Sequence, residues 1–153
     1  MIQGTIEAIF VTPRGGTNME RVSEVEALAD LGLKGDRYCV GGGYWSGVDE
    51  CQVTLIEAED LDEIIKTRGI RVANGEHRRN LVTRGIRLND LRGMRFQVGQ
   101  ALLEYDRPRP PCSYVESLTQ AGMTRALARC GGICARVIAS GIICVNDAIV
   151  FAP

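Results

Sequence analysis

The chain has 153 residues, of which 45% are hydrophobic and 24% are charged, and this composition predicts one domain over residues 1–153 with a single apolar core. Its 18 basic and 19 acidic side chains nearly cancel, so the overall charge gives no reason to expect nucleic acid or an anionic membrane as a partner. No window reaches the roughly 18 apolar residues of a membrane span, and the N-terminus lacks the layout of an export signal. We therefore expect a cytoplasmic protein whose six cysteines are thiols.

The first half of the chain predicts short strands and one amphipathic helix. Short runs of β-branched and apolar residues, bounded by glycine and proline, indicate the strands. Apolar residues at helical spacing indicate the helix. In chain order, the predicted elements are strands over 5–11, 22–28 and 52–56, a helix over 57–66, and a strand over 80–83.

The second half adds a hairpin, a broken helix and three closing strands. The hairpin is predicted over 94–98 and 101–105, and the final strands over 133–139, 142–145 and 148–151. A helical pattern begins near Cys112 after a proline-rich segment, breaks at Gly122, and resumes over 123–130 before two glycines. Because strands and helices do not alternate regularly, the predicted fold class is mainly β, a β-barrel with a few small helices.

Cys112 is the residue that points most directly to chemistry. It follows two prolines and stands where a helix is predicted to begin, so unpaired backbone N–H groups there favour thiolate over thiol. A sulfur of this kind acts as a nucleophile, a metal ligand or a persulfide carrier. The alternative is a small buried hydrophobe, since cysteine is among the most buried residue types.

The other cysteines and the only histidine give weaker indications of a chemical role. Core packing is the simplest role for Cys130, Cys134 and Cys144. A three-sulfur site formed by Cys39, Cys51 and Cys112 is a less favoured alternative, because structural zinc sites normally show paired, closely spaced ligands. His77 is expected to be an exposed loop side chain.

Two polar clusters supply candidate groups for binding a ligand. In the first, Lys34, Asp36 and Arg37 surround Gly35, which lets a ligand approach the backbone closely. The second runs from Arg78 to Asn80 and carries donors suited to phosphate or carbonyl oxygens. For each cluster, the alternative is an exposed charged turn with no further role.

The order of these motifs resembles that of a MOSC domain, the module named for the C-terminal part of molybdenum cofactor sulfurases. The resemblance extends over nearly the whole chain. It is carried by GLKGDR at 32–37, QVTLIEA at 52–58, RNLVT at 79–83, LRG at 91–93, ALLE at 101–104, PC at 111–112, GG at 131–132, ARV at 135–137 and VND at 145–147. Each segment alone is unspecific, and the signal is their order.

The resemblance implies a barrel fold like that of the pyruvate-kinase barrel, and it matches the family's cysteine with Cys112. MOSC domains carry sulfur as a cysteine persulfide, or bind the molybdenum cofactor with the cysteine sulfur as a ligand to the metal. In related amidoxime reductases, the arginine and asparagine matched here by Arg78 and Asn80 hold the pterin-phosphate part of that cofactor. One departure is Tyr38, where the family often has histidine.

These observations predict a protein that binds molybdenum cofactor or carries sulfur, with Cys112 as the catalytic residue and metal ligand. The residues predicted to bind the cofactor are Arg78, Asn80, Arg37, Asp36 and Lys34. The alternatives are a molybdenum-dependent reductase of N-hydroxylated compounds and a non-catalytic adaptor that docks on cofactor-synthesis enzymes. The implied partners are a cofactor-synthesis or sulfur-donor protein of the cysteine desulfurase type, a redox protein, or a second copy of the chain. No pyridoxal phosphate is expected.

Overall fold

The computed structural model describes residues 3–41 and 51–152. In this part of the chain, the strands are β1 (Gly4–Val11), β2 (Glu20–Val22), β3 (Glu24–Leu28), β4 (Gly32–Leu33), β5 (Val53–Glu57), β6 (Leu81–Arg84), β7 (Arg95–Val98), β8 (Ala101–Pro108), β9 (Ile133–Ala139), β10 (Gly141–Cys144) and β11 (Ala148–Ala152). The helices are α1 (Ala58–Arg68), α2 (Ser113–Leu118) and α3 (Met123–Ala126), with a 3-10 helix over Leu88–Leu91.

Seven of these strands close into a barrel, which confirms the predicted fold class. Their order is β1-β6-β5-β9-β8-β7-β11, and the barrel closes where Thr5 of β1 pairs with Ala148 of β11. Neighbouring strands are antiparallel except for β5 and β6, which are parallel and are joined through α1. Strand β2 pairs with the C-terminal end of β1, and β10, β3 and β4 form a separate small sheet.

The apolar residues form two clusters, one inside the barrel and one beneath the helices. Strand β1 contributes to both because its side chains alternate between the two faces of the sheet. Ile9 belongs to the barrel cluster, and Phe10 packs in the other cluster with Leu61 and Met123. A register shift after Ile6 lets both Ile6 and Ile9 join the barrel cluster.

The strands differ from the predicted ones mainly where the chain changes sheets. The predicted strand over 22–28 is divided between β2 and β3 at Ser23, whose carbonyl oxygen accepts a hydrogen bond from the amide of Val145. Strand β8 continues beyond its predicted end at Tyr105, because Arg107 and Pro108 still pair with β9. The two-residue strand β4 is too short to produce a pattern in the sequence.

The helices follow the predicted pattern in outline. Helix α1 is capped by Gly69, whose left-handed φ of 64° lets its amide donate to the carbonyl oxygen of Ile65 at 3.1 Å. The break predicted at Gly122 separates α2 from α3, but α3 ends at Ala126 and the predicted helical residues 127–130 form turns. No helix in residues 3–41 or 51–152 is long and apolar enough to cross a membrane.

Candidate functional site

A cavity of about 150 Å³ lies beside the N-terminal end of α2. Among the described residues that line it are four arginines and no acidic residue. The arginines are Arg37, Arg78, Arg79 and Arg109, and the cavity also borders Cys112 and Tyr114. Because guanidinium groups match the charge and geometry of phosphate and carboxylate oxygens, the cavity is suited to an anion.

Arg79 holds the wall of the cavity together through backbone carbonyl oxygens. Its Nε donates to Gly131 at 2.6 Å, and its Nη2 donates to Arg109 at 3.1 Å and to Pro110 at 3.4 Å. Burial lowers the pKa of Arg79 to about 10, so the group stays protonated at neutral pH. These bonds tie the proline-rich segment before Cys112 to the turn before β9.

Arg78 presents a donor that has no acceptor in the part of the chain that the structure describes. Its backbone has a left-handed φ of 64°, and its Nη1 donates to the carbonyl oxygen of Thr17 at 2.7 Å. Its Nη2 is buried and has no hydrogen-bond acceptor among the described residues. Burial lowers the pKa of Arg78, and the nearby charge of Arg37 lowers it further. An anionic ligand would satisfy this donor and offset the repulsion.

Arg37 has most of its donors engaged by its neighbours. Nη1 donates to the buried carboxylate of Asp36 at 3.0 Å, and Nη2 donates to the carbonyl oxygen of Arg78 at 3.1 Å and to the hydroxyl of Tyr38 at 3.2 Å. The guanidinium carbon also lies 4.3 Å from the centre of the Tyr38 ring. Asp36 in turn accepts a bond from the amide of Thr12 at 3.1 Å. Arg37 and Asp36 therefore position Arg78 and Tyr38.

Cys112 lies in the cavity wall, where the sequence predicts that a helix begins. It is the N-cap residue of α2, has an extended backbone, and is partly exposed. Its carbonyl oxygen accepts hydrogen bonds from the amide of Val115 at 3.1 Å and from the hydroxyl of Thr124 at 3.4 Å. The structure thus brings the predicted sulfur to the same cavity as Arg37, Arg78 and Arg109.

Three of the predicted site residues do not line this cavity: Asn80, Lys34, and Asp36, which is buried behind Arg37. Asn80 is fully buried: Thr54 donates to its Oδ1 from both the amide, at 3.0 Å, and the hydroxyl, at 3.1 Å, and its Nδ2 donates to the carbonyl oxygen of Phe10 at 3.1 Å. It therefore links β1 with β5 just before β6 begins. Lys34 has a largely exposed side chain, with its ammonium group 3.8 Å from a Glu26 carboxylate oxygen. Direct cofactor binding by Asn80 or Lys34 stays a prediction.

The expectation that His77 is exposed is wrong. The residue is fully buried, its Nδ1 accepts a hydrogen bond from the amide of Arg79 at 2.9 Å, and its ring meets that of Phe10 edge-on at 5.4 Å between centres. Burial lowers the pKa of His77 to about 3, helped by the charges of Arg79 and Arg21. The residues adjoining His77 in sequence are polar, so they gave no sign of this packing.

The cysteines are arranged differently from the three-sulfur alternative. Cys51 is buried and its Sγ donates a hydrogen bond to the carbonyl oxygen of Val53 at 3.6 Å, and Cys134 is fully buried as its predicted core role requires. Residues 3–41 and 51–152 contain no group of three or more histidine, cysteine, aspartate or glutamate residues placed to hold a metal ion. The site proposed for Cys39, Cys51 and Cys112 is therefore wrong for the described chain.

Three solved structures share the fold. The YuaD protein from Bacillus subtilis has a TM-score of 0.77 and 17% identity, with 95% of this chain and 93% of that chain covered. YiiM from Escherichia coli has a TM-score of 0.66 and 21% identity, with 97% and 70% covered. YiiM from Geobacillus stearothermophilus has a TM-score of 0.68 and 18% identity, with 100% and 75% covered.

The sequence itself identifies the family. No curated protein sequence matches the chain significantly. The sequence model of the MOSC domain matches residues 43–150, which is more than half of the chain. This match covers Arg78, Arg109, Cys112 and the motif segments from 52 to 147, and the GLKGDR segment at 32–37 lies outside it. The chain belongs to the MOSC domain family.

Proposed function

We propose that the protein binds molybdenum cofactor at the arginine-lined cavity and uses the Cys112 sulfur either as a ligand to molybdenum or as a carrier of sulfur destined for the cofactor. The observation that carries this proposal is that a partly exposed thiol shares one cavity with the Nη2 of Arg78, which has no acceptor within residues 3–41 and 51–152. Thiolate sulfur is a soft metal ligand and a good nucleophile. The guanidinium groups suit the phosphate of the cofactor.

The donor set fits this cofactor, and the cavity size limits how it binds. A volume of about 150 Å³ is smaller than the roughly 300–1,000 Å³ of pockets that enclose drug-sized ligands. The cavity would therefore hold the anionic end of the cofactor, with Arg78 and Arg109 as its donors and Cys112 facing the metal. Bound there, the cofactor would supply transfer of an oxygen or sulfur atom at molybdenum.

In the carrier role, Cys112 would accept sulfur from the persulfide of a donor protein. Its thiolate attacks the terminal sulfur of the donor, so that one S–S bond forms on Cys112 while the donor's S–S bond breaks. The donor leaves as a thiolate, which takes up a proton, and no net oxidation occurs. The positive charges of Arg78 and Arg109 would stabilise the persulfide anion on Cys112. A protein of the cysteine desulfurase type is the partner that this chemistry requires.

A molybdenum-dependent reductase of N-hydroxylated compounds is a second candidate, favoured by the hydroxyl of Tyr38 in the cavity. This oxygen accepts hydrogen bonds from Arg37 at 3.2 Å and from Arg109 at 3.5 Å. A phenol held in this way can donate its own proton to a substrate oxygen that is being reduced. Turnover of hydroxylaminopurine by cofactor-loaded protein with an artificial electron donor would support this candidate over simple carriage.

The test is intact-mass analysis and molybdenum determination on protein from a cofactor-producing host. We expect an added sulfur atom on Cys112, or about one molybdenum per chain, and at least about a tenfold loss of that load in Cys112→Ser. Arg78→Gln should lower metal loading, while its control Arg95→Gln, an exposed arginine paired with Glu104, should not. Cys144→Ser is the cysteine control. Equal loading of Cys112→Ser and wild-type protein would overturn the proposal.

A further inference from the structure

The cavity beside Cys112 has room for a whole small anion but only for one end of the molybdenum cofactor. Its volume is about 150 Å³. An engineered cavity of about that volume in another protein binds benzene. Small oxyanions such as sulfate and thiosulfate have fewer non-hydrogen atoms than benzene, so the cavity can enclose such an ion completely. An ion enclosed there lies among the arginines and beside Cys112, which lines the same cavity.

Arg78 and Arg79 carry positive charge that their own hydrogen-bond acceptors do not cancel. All the acceptors described above for the two guanidinium groups are neutral backbone carbonyl oxygens. Arg78 is only 5% exposed, and its Nη2 has no acceptor in residues 3–41 and 51–152. A buried donor without an acceptor costs free energy, and an anionic oxygen is the strongest acceptor that could satisfy it. The cavity therefore favours a compact oxyanion with more than one negative charge.

Cys112 adds a soft nucleophile to this anion site. The residue is partly exposed, so its sulfur is not sealed inside the core. Sulfate and phosphate offer a thiolate no soft atom to attack. Thiosulfate has the charge and the tetrahedral shape of sulfate, but one terminal oxygen is replaced by a sulfur that is bonded to the central sulfur. Thiolates attack sulfur–sulfur bonds. Thiosulfate is thus an oxyanion that engages both the arginines and the thiol.

We propose that the cavity binds thiosulfate and that Cys112 takes its terminal sulfur, which makes the protein a thiosulfate sulfurtransferase. The Cys112 thiolate attacks the terminal sulfur, a new S–S bond forms on Cys112, and the S–S bond of thiosulfate breaks. Sulfite leaves as a dianion with the electron pair of that bond, and Cys112 is left as a persulfide anion. The total charge is the same before and after the step, and no oxidant, reductant or metal takes part.

Arg78 and Cys112 have separate roles in this step. The Nη2 of Arg78 donates to a thiosulfate oxygen and remains on the departing sulfite, so it stabilises the charge that moves onto the leaving group. Cys112 receives the sulfur, and a second nucleophile then takes that sulfur and restores the thiolate. The inference rests on the sulfur-carrier role of Cys112 proposed above, and it adds a donor that is a small anion rather than a protein.

The test treats the purified chain, with its thiols reduced, with thiosulfate. Intact-mass analysis follows the gain of a sulfur atom, and chromatography measures the sulfite released. We expect equal amounts of sulfite and of sulfur gained, and tryptic mapping should place the sulfur on Cys112. With cyanide as the acceptor, the protein should turn over and produce thiocyanate. Sulfate has the shape of thiosulfate without the reactive sulfur, so it should inhibit wild-type protein competitively.

Variants separate the two roles. Cys112→Ser should gain no sulfur, while Cys144→Ser, whose cysteine does not line the cavity, should match wild-type protein. Arg78→Gln should raise the KM for thiosulfate by about tenfold or more, because a hydrogen bond between charged groups is lost. Arg95→Gln, at the exposed arginine paired with Glu104, is its control. Circular dichroism checks that Arg78→Gln is folded, and the competition by sulfate tests the anion site without any variant.

A second sulfur donor distinguishes this inference from the carrier role on which it rests. Hydroxyethyl persulfide has no oxyanion group, so it should load Cys112 of wild-type protein and of Arg78→Gln equally well. Loading by this persulfide without loading by thiosulfate would overturn the inference and leave the carrier role standing, while failure of both donors would overturn the carrier role as well. The inference is also wrong if sulfate does not compete, or if folded Arg78→Gln has the wild-type KM.

Discussion

The Nη2 of Arg79 donates a hydrogen bond to the backbone carbonyl oxygen of Arg109 at 3.1 Å, so one arginine of the cavity fixes the chain that carries another. The second anchor of Arg79 is the carbonyl oxygen of Gly131, at 2.6 Å. Both acceptors are neutral, which means that the buried positive charge is solvated without being cancelled. The Arg79 guanidinium group therefore stabilises the backbone segment that carries Cys112.

Arg79→Lys should destabilise the protein although it preserves the charge. A lysine has a single ammonium group and cannot reproduce the planar fork that reaches Gly131, Arg109 and Pro110. Leaving buried carbonyl oxygens unsatisfied should lower the free energy of unfolding by about 2–4 kcal/mol. Urea unfolding measures the change. Arg129→Lys, at an exposed position, is the control. Equal urea midpoints for the two variants would contradict this structural role of Arg79.

His77 should make the protein sensitive to acid. Its pKa is about 3 in the folded state, below the ordinary value of about 6.5 expected for the unfolded chain. The unfolded chain therefore binds more protons in this interval, and stability falls as the pH is lowered from 6.5 towards 3, by up to about 1.4 kcal/mol per pH unit. Above pH 6.5 the contribution is constant. The measurement is the urea midpoint as a function of pH.

His77→Asn is the matched variant for this prediction. Asparagine does not titrate, and its side-chain oxygen can replace Nδ1 as the acceptor for the amide of Arg79. The pH dependence of stability below 6.5 should become shallower in the variant. An unchanged slope would show that other groups are responsible for the acid sensitivity.

Gly132→Ala should be far more damaging than Gly35→Ala, although both glycines have the same left-handed φ of 88°. A Cβ on Gly35 meets no atom within 4 Å, so its cost is the backbone strain alone, about 1–2 kcal/mol. A Cβ on Gly132 would overlap the carbonyl oxygen of Leu55 on the adjacent strand. Displacing that backbone should add about 1–3 kcal/mol or more. Thermal or urea unfolding of the two variants, side by side, gives the comparison.

Asn80→Ala should act first on stability, because its amide makes three hydrogen bonds inside the sheet. We expect a loss of about 2–4 kcal/mol, with the partners on Thr54 and Phe10 left unsatisfied. Urea unfolding measures this loss, and equilibrium dialysis of folded Asn80→Ala against inorganic pyrophosphate measures anion binding. If the variant keeps wild-type stability and loses only anion binding, Asn80 contacts the ligand directly and the structural role is wrong.

The strands and the barrel were predictable because their signals are local. Alternating apolar residues and the Gly99–Gln100 turn identify β7 and β8 from neighbouring positions alone, and both strands form as a hairpin. The division at Ser23 was not predictable, because it depends on which sheet each half of the segment joins. Pairing between distant strands leaves no pattern within a short window of sequence.

The candidate site was predictable only in part, for a related reason. Cys112 stood out because prolines and the start of a helix adjoin it, and the structure places it at the cavity. The roles of Arg79 and Asn80 depend on carbonyl and hydroxyl groups that lie tens of residues away in the sequence. From the sequence, these side chains could therefore be identified only as hydrogen-bond donors without known acceptors.

The use of neutral carbonyl oxygens to hold Arg79 has a consequence for the way the cavity responds to its surroundings. Even with its pKa lowered to about 10, Arg79 keeps its proton throughout the range in which most proteins work. Acidification thus leaves this positive charge unaltered. Dissolved salt should instead slow the approach of an anion through solvent, where charges are screened over about 8 Å at physiological ionic strength, and should affect contacts inside the cavity much less.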